Sequence, residues 1–155
     1  DKIAAKFDTT PMMIGLTYNA HPVAMAAALA VINIYESDHL IENTRQMSTY
    51  MESKIEAMRA SHPSMGAFRN KGLLGCLDIL KNKKTGELIA PYNATGDDLK
   101  LTNQIGAKIR ELGLYTFVRW GYIFIAPPLC ITKNQIDEGL AIISEALKIA
   151  DEALI

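Results

Sequence analysis

The chain of 155 residues has only two cysteines, one tryptophan and three histidines, and its charges nearly cancel, with 16 Lys+Arg against 17 Asp+Glu. Each scarcity excludes something. A formal charge of −1 with scattered lysines gives no electrostatic footprint for nucleic acid or an anionic membrane, so neither is an expected partner. Cys76 and Cys130 sit far apart in apolar, strand-like runs without the paired spacing of a zinc or redox motif. This predicts buried free thiols in a reducing compartment, with a disulfide between them as the alternative. His21, His39 and His62 lack metal-ligand spacing, so no metal site is expected; His21 reads as the residue leading into a helix, His39 and His62 as surface residues. No serine, histidine and acid pattern stands out for hydrolysis. The longest apolar run, 23–35, is too short for a membrane span and is broken by Asn33, and the N-terminus has no signal-peptide layout. A cytoplasmic location is therefore expected.

What is present is a hydrophobic content of 49% in a chain the size of one ordinary domain, enough to bury a real core. Apolar periodicity predicts helices over 1–7, 22–35 and about 40–59, the last with a stripe of Leu40, Ile41, Met47, Tyr50, Met51, Ile55 and Met58. The second of these is apolar nearly all round, which requires cover on more than one side. Residues 12–18 read as an extended loop or short strand. Residues 65–80 read as one strand with a bulge or close contact near Gly72 and Gly75. A helix over 97–112 stops at Gly113, and 114–118 with 122–126 form a hairpin whose turn is Arg119-Trp120-Gly121. Thr132 is placed to cap a final helix over 133–153, with Ile136, Leu140, Ile143, Leu147 and Ala150 on its buried face. The expected class is α+β, an antiparallel sheet with helices packed on it. The chain opens without methionine on what reads as the middle or end of a helix, so a fragment of a longer protein is expected.

Gly15-Leu16-Thr17-Tyr18-Asn19-Ala20-His21-Pro22 is a turn carrying a glycine and a hydroxyl, running into a proline-started helix. A threonine hydroxyl beside free backbone N–H groups is either a helix cap or a phosphate ligand. The run from Gly15 through Glu36 resembles the segment of class III (omega-type) aminotransferases, pyridoxal-phosphate enzymes of fold type I, that begins the long helix leading into the C-terminal small domain. Phe68-Arg69-Asn70-Lys71-Gly72-Leu73-Leu74-Gly75 is similar to that family's Arg-Gly-x-Gly-Leu-Met strand, and Ala126-Pro127-Pro128-Leu129-Cys130-Ile131-Thr132 to its late Pro-Pro-Leu segment. Val118-Arg119-Trp120 and the Pro-Pro segment look closest to taurine–pyruvate aminotransferases.

The resemblance implies a division into 1–36, the end of a large cofactor domain with its linking helix, and 37–155, the small domain. It implies pyridoxal 5'-phosphate as cofactor, a homodimer, and transfer of an amino group from taurine, β-alanine or a similar donor to pyruvate. Diaminopelargonate synthesis, semialdehyde aminomutase activity, or a non-catalytic oligomerisation module of the same fold are the alternatives. Thr17 would bind the cofactor phosphate of the partner subunit, and Tyr18 would line that pocket or serve as an interface aromatic. Many relatives carry glycine where this chain has Ala20. Arg119 would grip the carboxylate of the keto acid through two parallel hydrogen bonds, although its spacing to Pro127 is one or two residues shorter than in several relatives. Arg69 reads instead as a structural ion-pair residue. No catalytic residue is expected in this chain: the imine lysine lies about thirty residues upstream of such a threonine motif, and Lys2 and Lys6 read as the solvated face of a helix. The 155 residues alone are expected to be inactive.

Overall fold

The computed structural model describes residues 2–155 and divides into two compact units, the first ending at Ser37 and the second running Asp38–Ile155. The N-terminal position of the first predicted helix, Asp1, lies outside the described residues. The first unit holds helix α1 (Lys2–Phe7), an irregular stretch without a strand, and helix α2 (Pro22–Ser37). Pro22 opens α2 as its fixed φ predicts. None of the described residues through Ser37 is buried, and Val23, Leu29, Val31, Ile32 and Ile34 of α2 are all exposed.

The second unit carries α3 (Leu40–Met58), the strands β1 (Met65–Lys71), β2 (Leu74–Asn82) and β3 (Glu87–Leu88), a 3-10 turn (Gly96–Leu99), α4 (Lys100–Glu111), β4 (Val118–Arg119), β5 (Tyr122–Ile125) and α5 (Lys133–Glu152). The strands are antiparallel in the order β1-β2-β5-β4, with β3 pairing the far end of β2. Met47, Met51 and Ile55 of α3, Leu77 and Ile79 of β2, Ile123 of β5, Ile105 and Ile109 of α4, and Ile136, Leu140, Ile143 and Leu147 of α5 form one core. The α+β class is as the sequence indicated. The stripe of α3 is buried at Met47, Met51 and Ile55, while Ile41 remains exposed.

The predicted single strand over 65–80 is instead a tight hairpin. Lys71 pairs with Leu74 across a loop of Gly72 and Leu73, and Gly72 adopts φ +58, a left-handed conformation that glycine enters at no steric cost. The turn was concealed because its second residue, Leu73, is apolar and 3% exposed, a core side chain at a position normally given to polar residues.

Helix ends follow their chemistry. Gly113 (φ +93) follows α4; its N–H donates to Arg110 O and that of Leu114 to Ile109 O, the two bonds of a Schellman cap. At α5 the Thr132 hydroxyl accepts from Gln135 N–H while the Gln135 side chain accepts from Thr132 N–H, completing a capping box. Asn43 ties α3 to the loop before α5 by donating to Leu129 O (2.7 Å) and Ile131 O (3.1 Å).

Two residues depart from expectation in their burial. Cys130 is exposed, because the segment after Pro127-Pro128 is a turn and no longer a strand, whereas Cys76 on β2 is half-buried; both thiols are free. His62 is 4% exposed and not a surface residue. Its Nδ1 lies 2.7 Å from Asp151 Oδ2 and its Nε2 2.6 Å from Ser144 Oγ. Asp151 Oδ1 also accepts from the N–H and hydroxyl of buried Ser64, so this group fastens the turn after α3 to α5. The order is that of a hydrolytic triad, but the imidazole is enclosed by protein, and the arrangement serves as a tertiary tie.

Candidate functional site

Two clusters carry the residues singled out from sequence, one in each unit. In the first, residues 17–20 form a turn in which Asn19 N–H donates to Leu16 O (2.9 Å) and His21 N–H to Tyr18 O (3.3 Å). Thr17 stands five residues ahead of Pro22, too far to cap α2. Among the described residues its hydroxyl and its N–H have no hydrogen-bond partner, and it is exposed. That is the donor set a phosphate oxygen would use. Tyr18 is 77% exposed, its ring tilted against His21 at 5.6 Å. Ala20 has φ +54, a left-handed geometry that costs an L-residue roughly 1–2 kcal/mol and explains why glycine suits this position.

In the second unit Arg119 is the last residue of β4, paired with Tyr122 across a two-residue turn of Trp120 and Gly121, so the turn is one residue shorter than predicted. The turn is anchored on three sides. The buried Thr102 hydroxyl of α4 donates to Trp120 O (2.5 Å), and Ile79 N–H donates to Gly121 O (2.8 Å). A Cβ on Gly121 would lie 2.6 Å from Leu88 Cβ and 3.3 Å from Ala90 O, so only glycine fits there. The Arg119 side chain is exposed, with its Cζ 4.3 Å over the Trp120 ring, and the same indole packs against Tyr92 at 4.6 Å. Arg45, Arg59 and Arg69 each sit against a carboxylate, while Arg110 on α4 and Arg119 have none within reach among the described residues.

Arg69 is the ion-pair residue expected: its two terminal nitrogens grip Asp78 across β1 and β2 at 2.7 and 2.5 Å, which drives the guanidinium's pKa further up. Burial pushes the neighbouring Cys76 thiol up as well, keeping it protonated. Among the described residues no group of three or more His, Cys, Asp and Glu could hold a metal ion, and no helix is long and apolar enough to cross a membrane. Lys2 and Lys6 are exposed on α1.

The family model for class III aminotransferases matches residues 1–147. The chain belongs to the class III aminotransferase family. It is similar to an uncharacterized aminotransferase of Schizosaccharomyces pombe, 37% identical over 139 residues, covering 84% of this chain and 29% of that protein. A probable gamma-aminobutyrate transaminase 4 of Oryza sativa subsp. japonica is 30% identical over 138 residues, covering 89% of this chain and 27% of that one. Among solved structures, the taurine:2-oxoglutarate aminotransferase of Bifidobacterium kashiwanohense, in complex with PLP and glutamate, superposes with a TM-score of 0.89 at 36% identity, covering 100% of this chain and 34% of its own. The chain thus spans about a third or less of the length of these class III relatives.

Sequence reasoning singled out Thr17, Tyr18 and Arg119 as candidates and did not anticipate Tyr92 beside Trp120 or the tie from His62 to Ser144 and Asp151. The latter had one legible signal. Ser144 and Asp151 are seven residues apart, two helical turns, and flank the apolar stripe of α5 on one side.

Proposed function

We propose that this chain is the C-terminal part of a pyridoxal-phosphate-dependent aminotransferase that moves an amino group from an omega-amino donor of the taurine or β-alanine type to pyruvate. The observation that carries this reading is Arg119, an exposed guanidinium without an acid partner on a strand end, in a chain whose fold follows a taurine aminotransferase over its whole length. On this reading residues 1–36 are the end of the large cofactor domain and its linking helix, and residues 37–155 the small domain of a cytoplasmic homodimer. The cofactor supplies the electron sink that labilises the bond at the amino carbon. Thr17 donates its hydroxyl, beside its own N–H, to the cofactor phosphate held by the partner subunit, and Tyr18 lines that pocket. Arg119 binds the carboxylate of the keto acid and orients it, two parallel N–H···O bonds fixing both position and plane. No lysine of these 155 residues stands in a context to hold the cofactor, so the fragment alone is inactive.

A second acceptor has specific support, since the taurine aminotransferase to which the chain is similar is named for 2-oxoglutarate; relatives named gamma-aminobutyrate transaminases add that amine as a donor to test. The test is a donor screen of the complete enzyme with taurine, β-alanine and gamma-aminobutyrate against both pyruvate and 2-oxoglutarate. Preference for taurine with pyruvate supports the proposal; turnover with 2-oxoglutarate alone moves the acceptor, and no turnover with any pair overturns it. Arg119→Lys and Arg119→Ala should each lower kcat/KM for the keto acid about tenfold or more while a simple amine donor is little affected.

A further inference from the structure

Adjacent residues on a strand point to opposite faces, so an arginine at a strand end does not normally rest on the side chain that follows it. Here it does. Trp120 adopts φ +51, a left-handed conformation in which a bulky side chain is a genuine outlier and where asparagine or glycine would sit without strain. That backbone reversal swings the indole beneath the neighbouring guanidinium, at 4.3 Å from Cζ to the ring centroid. The strained residue is pinned by the Thr102 hydroxyl on its carbonyl and by the tight seat of Gly121 against Leu88 and Ala90, and its ring is steadied by Tyr92. Strain held in place by its surroundings marks sites where geometry matters.

We propose that Trp120 is a positioning residue whose indole forms a platform holding the Arg119 guanidinium outward for the substrate carboxylate, with Tyr92 bracing the platform. The inference rests on the reading of Arg119 as the carboxylate-binding residue. An aromatic face attracts the cation without occupying its N–H donors, unlike a carboxylate partner, which would compete with substrate. It also restricts a long side chain before binding, so less rotamer entropy is lost when substrate arrives.

The chain's single tryptophan makes the stack directly observable. In NMR spectra of the 155-residue chain, the Arg119 side-chain protons should be shifted upfield by the indole ring current and return to ordinary positions in Trp120→Leu. In the holoenzyme, Trp120→Leu and Trp120→Gly should raise KM for the keto acid by about 2- to 5-fold, the factor for an exposed cation–π contact, with kcat and the KM of a simple amine donor unchanged. Trp120→Phe should restore most of the loss. Because glycine relieves the left-handed backbone, Trp120→Gly separates loss of the platform from loss of folding. If Arg119→Ala raises KM while neither Trp120→Leu nor Trp120→Gly does, the platform is refuted and the reading of Arg119 survives. If Arg119→Ala itself leaves KM unchanged, both fall, and an upfield shift would then report only a structural stack.

Discussion

Helices α2 and α5 are both rich in aliphatic residues, yet α5 buries six of its 20 residues and α2 buries none of its 16. The difference lies in how the apolar residues are distributed. On α5 they fall at Ile136, Leu140, Ile143, Leu147 and Ala150, a stripe with polar residues on the other side, and one core satisfies it. On α2 alanines, valines and isoleucines occupy every face, so no single surface could cover it. A helix that is apolar all round is built for burial between bodies, which fits a linking helix at the junction of two domains and two subunits in the proposed homodimer.

The largest expected effect tests this contrast directly. Leu147→Ala, at a fully buried position of α5, should destabilise the 155-residue chain by about 2–5 kcal/mol, whereas Leu29→Ala on exposed α2 should stay within about 0.5 kcal/mol of wild type. Chemical denaturation followed by Trp120 fluorescence measures both. A cost at Leu29 approaching that at Leu147, and growing with protein concentration, would mean that α2 is already covered through self-association. Next in size, the two helix starts differ in chemistry: α5 has a full capping box, so Thr132→Ala should cost roughly 1 kcal/mol. In the turn before α2, Ala20→Gly should instead be neutral or stabilising, since it releases a left-handed φ. A destabilised Ala20→Gly variant would show that the methyl makes a contact outweighing that strain.

The same contrast explains what could be read from the sequence. The long helices, the Thr132 cap and the Gly113 stop were legible because periodicity and capping are local. The hairpin at Gly72 and Leu73 was not, because a two-residue turn holding a core leucine looks like a continuous apolar run. Burial of His62 was equally hidden: its partners Ser144 and Asp151 lie 82 and 89 residues away, and only the packing of α5 brings them together. Cys130 was misread because the end of the sheet falls before it. Of the candidate site, Thr17, Tyr18 and Arg119 were singled out by motif. The platform under Arg119 depends on the sign of one backbone angle at Trp120, which residue type alone does not reveal.

A further contrast between the thiols should appear as a rate. Cys130, exposed, should be alkylated by iodoacetamide well before Cys76, whose thiol is held protonated by burial despite the attraction of Arg69. Equal rates would mean that the β1–β2 hairpin opens on the timescale of the reaction.

The smallest expected effect concerns α3, which unlike α5 meets the sheet partly through a charged contact. Glu52 accepts from Asn70 Nδ2 at 2.6 Å and from Ser48 Oγ at 2.9 Å, and these bonds, Asn70's first, hold its carboxyl below the ordinary value of 4.5. A carboxyl whose folded pKa is depressed stabilises the fold fully above its unfolded pKa and loses that contribution as pH falls through the folded value. Glu52→Gln should therefore be less stable than wild type at pH 7, with the gap closing as pH drops below about 4.5 and vanishing in stronger acid. Solvent screening keeps the gap within the range of roughly 0.2–1 kcal/mol seen for exposed charged contacts. Denaturation midpoints of the two proteins from pH 7 to pH 3 measure it. A gap independent of pH would assign the loss to packing at the hairpin, and the polar seam between α3 and β1 would then be as insensitive to charge as the apolar face of α5.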